Sequence, residues 1–243
     1  MSKKDLTISL NEVLFYFTRA AYGAEVPIGL SEDFAKSNIW ISENGFDPTI
    51  TSLKALDNID SKVSSLAIEL KKTKDGGHLF CPEEKLLSCL EASASCADWI
   101  EINNGTSQLK ISNVDSPFLV VSALGANKCI GLNLSWTDQD QSQFQVNLIN
   151  EESWEVLSTS SNPIELSSNA DILISPIELK RKPKKSTMVR AFNSTEEKFK
   201  ILHHGVTVGE NWQAIYDYFS RCLVKSSIES RASGAGAGLV DTD

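Results

Sequence analysis

Leu10, Val13, Leu14, Phe17 and Ala21 recur at i, i+3, i+4, i+7 and i+11, a spacing that gathers apolar side chains on one face of a helix. Ser9 and Glu12 form a Ser-x-x-Glu capping box at its start, because hydroxyl and carboxylate can each satisfy a backbone N–H that the first turn orphans; Gly23 predicts its end. A second helix is predicted to open at Ser31. Glu32 and Asp33 then fall in its first turn, against the positive end of the helix dipole; Phe34, Ile39 and Trp40 face inward, and Asn44-Gly45 closes it. Pro48 at a first helical position, with Ile50, Leu53, Leu56 and Ile59 behind it, predicts a third helix. Pro82 with Glu83 and Glu84 predicts a fourth, whose stripe is Leu86, Leu87, Leu90 and Ala94.

The period changes near Asp98. Ile130, Leu132, Leu134 and Trp136 alternate with Gly131, Asn133 and Ser135, and Phe144, Val146 and Leu148 alternate with Gln145 and Asn147, the period-two pattern of strands with one buried face. Residues 99–102, 109–111, 118–124, 154–157 and 172–177 read as further short strands, and 199–208 as extended. The short turns between them favour antiparallel neighbours. Trp212, Ile215, Tyr216, Phe219 and Leu223 restore a helical stripe, and residues 226–243 are small and polar with a strict Gly/Ala alternation. The pattern predicts one α+β domain over residues 1–243: N-terminal helices in 6–97, a mostly antiparallel β-sheet in 98–208, then a C-terminal helix and Gly/Ala-rich tail in 209–243.

The chain has 243 residues, with 23 Lys and Arg against 32 Asp and Glu, a formal net charge of −9 that repels nucleic acid and anionic membrane surfaces. No apolar run approaches the roughly 20 residues of a membrane-spanning helix, and the N-terminus lacks the apolar stretch of a secretory signal, so a cytoplasmic protein is expected. Lys180, Arg181, Lys182, Lys184, Lys185 and Arg190 make one local basic cluster, which reads as a solvated loop or a contact for an anion. Cys81, Cys89, Cys96, Cys129 and Cys222 are odd in number and hold no Cys-x-x-Cys pair; they read as reduced thiols, with Cys89 and Cys96 on one helical face. His78 and the pair His203 and His204 show no metal-binding spacing, and on an extended strand the two adjacent histidines point to opposite faces. No Gly-x-Ser-x-Gly elbow is present, and Asp241 and Asp243 read as a terminus in water.

The sharpest motif is Ser230-Arg231-Ala232-Ser233-Gly234-Ala235-Gly236-Ala237-Gly238. Its glycines let backbone N–H groups approach an anion, and the Arg231 guanidinium offers a planar fork for a carboxylate. The Gly-x-Gly here follows a predicted helix, so the dinucleotide fingerprint fails on context. Ser9-Leu10-Asn11-Glu12, the stretch from Ala20-Ala21-Tyr22-Gly23-Ala24 to Gly29-Leu30-Ser31-Glu32-Asp33, and the run from Ser230-Arg231 to Asp243 resemble the uncharacterised bacterial family that carries domain of unknown function 3726. That family resembles this chain in its Ser-Arg, Gly-Ala-Gly-Ala-Gly and Asp-x-Asp terminus, and differs at Tyr22, Ile28, Lys225 and Ile228, where it has Arg, Trp, Pro and Glu. The resemblance implies a tail that is a built part of the protein and brings no named activity.

Together these features predict a small-molecule metabolic enzyme, or a subunit of one. Its anionic carboxylate ligand is expected near the tail, at Ser230, Arg231, Gly234, Gly236, Gly238 and Glu32. No metal is expected, and the sequence assigns neither a catalytic residue nor a cofactor. The alternative is a non-catalytic partner or homo-oligomer-forming subunit whose tail mediates assembly; a sandwich-type binding module fits the helical ends less well.

Overall fold

The computed structural model describes residues 6–159, 162–177 and 188–223. In chain order the elements are β1 (Leu6–Ile8), α1 (Leu10–Gly23), α2 (Ile28–Glu43), α3 (Pro48–Asp60), β2 (Ser64–Ser65), β3 (Glu69–Lys72), β4 (Gly76–Phe80), β5 (Leu86–Leu87), α4 (Cys89–Ile102), β6 (Gln108–Val114), α5 (Pro117–Ala126), β7 (Leu132–Thr137), β8 (Gln143–Leu148) and β9 (Ser153–Ser158). A 3₁₀ turn (Ile164–Leu166) follows, then β10 (Ala170–Pro176), β11 (Met188–Asn193), α6 (Ser194–His204), β12 (Val206–Val208) and α7 (Trp212–Ser220). The class is α+β.

The large sheet runs β11-β9-β8-β7-β10-β6-β4-β3, with β5 pairing both β6 and β2. Most neighbours are antiparallel, as the short turns require; β4 with β6, β5 with β6 and β2 with β5 are parallel. Alternation places Leu132, Leu134, Trp136, Phe144, Val146, Leu148, Trp154 and Val156 inside, against the helices, in one hydrophobic cluster that also takes in α1, α2, α4, α5 and α7. β1 pairs with β12 as a separate two-stranded ribbon, in the register Leu6↔Val208 to Ile8↔Val206.

The first helix forms as its pattern dictates. Ser9 accepts from the Glu12 amide, and the Glu12 carboxylate accepts from the Ser9 amide at 2.7 Å, which holds that carboxyl below its usual range. Asp47 caps α3 with Pro48 behind it. Elsewhere the structure corrects the pattern. α2 opens at Ile28, a turn before Ser31, which is buried inside the helix and donates back to the carbonyls of Val26 and Pro27. The fourth helix opens at Cys89, capped by Ser88; Leu86 and Leu87 are a strand, and 99–102 is the end of that helix.

Two more segments change type. Residues 118–124 are the body of α5, apolar on every side because it is buried between other helices and the sheet; an all-apolar run has no period with which to declare itself. Residues 199–204 are helical, so His203 and His204 sit exposed in the last turn of α6 and the opposite-face argument for them lapses. The polar hairpin of β3 and β4 lies in a stretch where helical periodicity was expected to dominate.

Candidate functional site

Asp47 and Pro48 set the N-terminus of α3. One Asp47 oxygen accepts from the Thr49 amide at 2.8 Å and the Thr49 hydroxyl at 2.7 Å, and the other accepts from the Gly209 amide at 2.9 Å. The cap thus pins the β12–α7 connection to the start of α3. A Cβ on Gly209 would lie 2.7 Å from that second oxygen, so the bond depends on glycine.

Beside this cap opens a pocket with walls of Phe46, Phe144, Val156, Ile164 and Phe192, and with Ser158, Asn162 and Arg190 as its polar members. The walls are held by ring contacts. Trp154 and Phe192, paired across β9 and β11, stack 4.1 Å apart, and Phe46 packs on both Phe118 and Phe192. Arg190 and Phe192 are two residues apart on edge strand β11, so both project to the same face of the sheet as Trp154 and Val156, their cross-strand partners. An arginine therefore stands on the apolar side of the sheet.

Glu165, next to Ile164 in the 3₁₀ turn, is half-buried, and its Oε2 is buried without a hydrogen-bond partner. Burial pushes this carboxyl up from its ordinary value and the Asp47 charge adds to the rise, whereas its own backbone amide and Arg190 pull it down. A carboxyl raised by burial and within electrostatic reach of an arginine is a candidate for proton transfer with a bound anion.

A polar layer continues inward. Lys54 of α3 donates to the Ser167 carbonyl at 3.0 Å, tying the helix to the turn that carries Glu165. Asp115, fully buried between β6 and α5, accepts from the Cys89 amide at 2.9 Å through Oδ1. Its Oδ2 and the neighbouring Ser64 hydroxyl form no hydrogen bond of regular geometry, although that hydroxyl eases the carboxylate's charge. Burial raises the Asp115 carboxyl, and the bonds from Cys89 offset part of the rise. The Cys89 thiol is itself pushed well up by burial and then by Asp115, so it packs as a small hydrophobe and is not a nucleophile; buried Cys96 behaves alike.

Because the folded Asp115 value is raised, its contribution to stability is full below the ordinary aspartate range and is lost as pH rises through the raised value. Asp115→Asn is expected to flatten that part of the profile of Tm against pH. Asp115→Ala is expected to lower stability at acid pH by about 1–3 kcal/mol, since it strips the Cys89 amide of its acceptor. Thermal melts between pH 4 and 8 check both; an Asn variant with the wild-type slope refutes the assignment.

Of the residues expected at a site, Ser230, Arg231, Gly234, Gly236 and Gly238 lie outside the described residues, as do Lys180, Arg181, Lys182, Lys184 and Lys185 of the basic cluster. Glu32 is exposed on α2 and does not line this pocket. Arg190 is the member of the basic cluster that the structure places in the pocket. Glu165, Asp47 and Asp115 carried no functional signal in sequence. Among the described residues no group of three or more His, Cys, Asp or Glu is placed to hold a metal ion, and no helix is long and apolar enough to cross a membrane.

No protein-family model matches this sequence, and no curated protein is detectably similar to it. Solved structures do match. A dehydrogenase from Sinorhizobium meliloti superposes with a TM-score of 0.58 at 9% identity, over 88% of this chain and 99% of the other. A protein from E. coli named for malate/lactate dehydrogenase gives 0.59 at 8% identity, over 94% and 99%. The sulfolactate dehydrogenase of Methanocaldococcus jannaschii gives 0.50 at 9% identity, over 88% and 96%. This chain has their fold. At such identities the likeness concerns the fold and not the chemistry.

Proposed function

We propose that the chain is a small-molecule metabolic enzyme, or a subunit of one, that binds a carboxylate substrate in the pocket beside the N-terminus of α3. Arg190 pairs with the substrate carboxylate and Glu165 exchanges a proton with the bound molecule. The observation that carries this reading is the arginine on the inward face of β11, next to a half-buried carboxyl whose Oε2 is unpartnered. The planar guanidinium fork matches a carboxylate, and Arg190, exposed at the edge strand, can be reached from solvent. Malate, lactate and sulfolactate, for which two proteins of the same fold are named, are all carboxylates.

The strand-to-helix junctions among the described residues contain no Gly-x-Gly, so they do not build the glycine-rich phosphate cradle of the common dinucleotide fold. The reading concerns carboxylate binding and proton transfer and assigns no cofactor. Isothermal titration with racemic lactate and malate tests it. Arg190→Ala is expected to weaken binding roughly tenfold to a hundredfold with the circular dichroism spectrum unchanged. Affinity for the anion is expected to fall as pH rises through the raised Glu165 value, because a second negative charge then forms beside the site; Glu165→Gln removes that dependence. Binding indifferent to Arg190 overturns the reading.

A further inference from the structure

We infer that Ser112 and His78 form a nucleophile and its general base at a second site, which hydrolyses a short-chain carboxylic ester. Leu79, Leu109 and Ile111 turn inward to the core, so His78 and Ser112, which alternate with them, stand on the opposite face of the sheet. β4 and β6 run parallel with His78 opposite Lys110, which puts Ser112, two residues on, diagonally across from the histidine. The Ser112 Oγ lies 2.8 Å from His78 Nε2, within reach for a serine and the base that takes its proton. A bulge aims the serine. Between the pairs Ile111↔Ile172 and Val114↔Ala170, β6 sets Ser112 and Asn113 against Asp171 alone, and Asn113 adopts a φ of +55°.

Ser112 borders a pocket of about 200 Å³ with Phe80, Cys81 and Lys85 among its walls, room for a short acyl chain. The His78 ring packs behind it, 5.2 Å from that of Phe80. Asp171 accepts from the Asn113 amide at 2.9 Å and pairs with Lys110 at 2.8 Å; its charge also reaches His78 and favours the imidazolium that forms when the ring takes a proton. With the ring proton on Nδ1, Nε2 accepts the Ser112 proton as Oγ bonds to the acyl carbon; the bond from that carbon to the alcohol oxygen breaks, and the proton leaves with the alcohol. Water then gives a proton to Nε2 and bonds to the acyl carbon, the bond to Oγ breaks, Oγ recovers the proton, and the acid departs. Lys85, paired with Glu83 at 3.0 Å, brings positive charge to the pocket in which the acyl oxygen turns negative.

Labelling of the full chain with a fluorophosphonate, read by intact mass and peptide mapping, tests the pair, with p-nitrophenyl acetate hydrolysis measured alongside. One adduct is expected, on Ser112, and Ser112→Ala is expected to lose it together with the hydrolysis. His78→Gln, with its circular dichroism spectrum unchanged, is expected to slow labelling and hydrolysis roughly a hundredfold. A folded wild-type chain with Ser112 unlabelled, an adduct on Cys81 in its place, or labelling at an equal rate in His78→Gln overturns the inference.

Discussion

Phe118→Ala is expected to cost about 3–5 kcal/mol of folding free energy, the range for deleting a fully buried aromatic ring whose surroundings cannot collapse onto the hole. Phe118 has no exposed surface and lies at the start of α5, a helix with all residues from Pro117 to Leu124 buried. Its ring centroid is 5.3 Å from that of Phe46, which in turn packs on Phe192 and Trp154. Removing the ring therefore leaves a cavity and also loosens a pocket wall. Urea denaturation measures the loss, and Phe199→Ala on the exposed flank of α6 serves as the control, expected to stay within about 0.5 kcal/mol. A Phe118 variant as stable as that control contradicts the central position of α5.

Gly23→Ala is the second large effect, and its sign runs against helix propensity. Alanine in place of glycine favours a helix by about 1 kcal/mol where space allows. At Gly23, the last residue of α1, an added Cβ falls 2.1 Å from the carbonyl oxygen of Tyr218 and 3.0 Å from its carbon. Both are backbone atoms and cannot rotate aside, so α1 and α7 must separate. α7 resists the shift because the Tyr218 hydroxyl donates to Asp57 at 2.8 Å and Arg221 grips both oxygens of Asp60 at 2.7 and 3.1 Å. The strain is expected to cost about 2–3 kcal/mol, seen as a Tm lowered by roughly 4–12 °C. Gly29→Ala, with nothing within 4 Å of the new Cβ, is expected to be neutral or mildly stabilising. Equal melting temperatures for the two variants refute the close approach.

Elements that declare themselves through a period and a cap were legible in the sequence. α1 shows both, with its capping box in place; α3 shows Asp47-Pro48; β7 and β8 show strict alternation. α5 was misread because burial on all sides erases the period, leaving only Ser116-Pro117 to mark a helix start. The β3–β4 hairpin was missed for the opposite reason: Glu69, Leu70, Lys71 and Lys72 are all exposed, so no buried face marks the strand. α6 has no buried residue, and its helical form follows from the Asn193 cap, which accepts from the amides of Thr195 and Glu196.

The candidate site was less legible because its members come from distant stretches. Asp47 reads as a cap, Glu165 sits in a short turn, and Arg190 reads as one charge in a basic run. Its one local sign was its place two residues before Phe192, which puts a charge and a ring on the same side of a strand. That Glu165 lies within electrostatic reach of Asp47 and Arg190 follows from the sheet order and the α3 position, which no local pattern encodes.

The β1–β12 ribbon has a consequence for the protein's birth. The opening strand finds its only described partner about two hundred residues later, and the helix after it leans on α7, later still. β1 therefore cannot pair, and the face of α1 that packs on α7 cannot be covered, until Val206–Val208 and α7 have left the ribosome. Cleavage by a protease during synthesis is expected to fall on β1 until Val206–Val208 emerges.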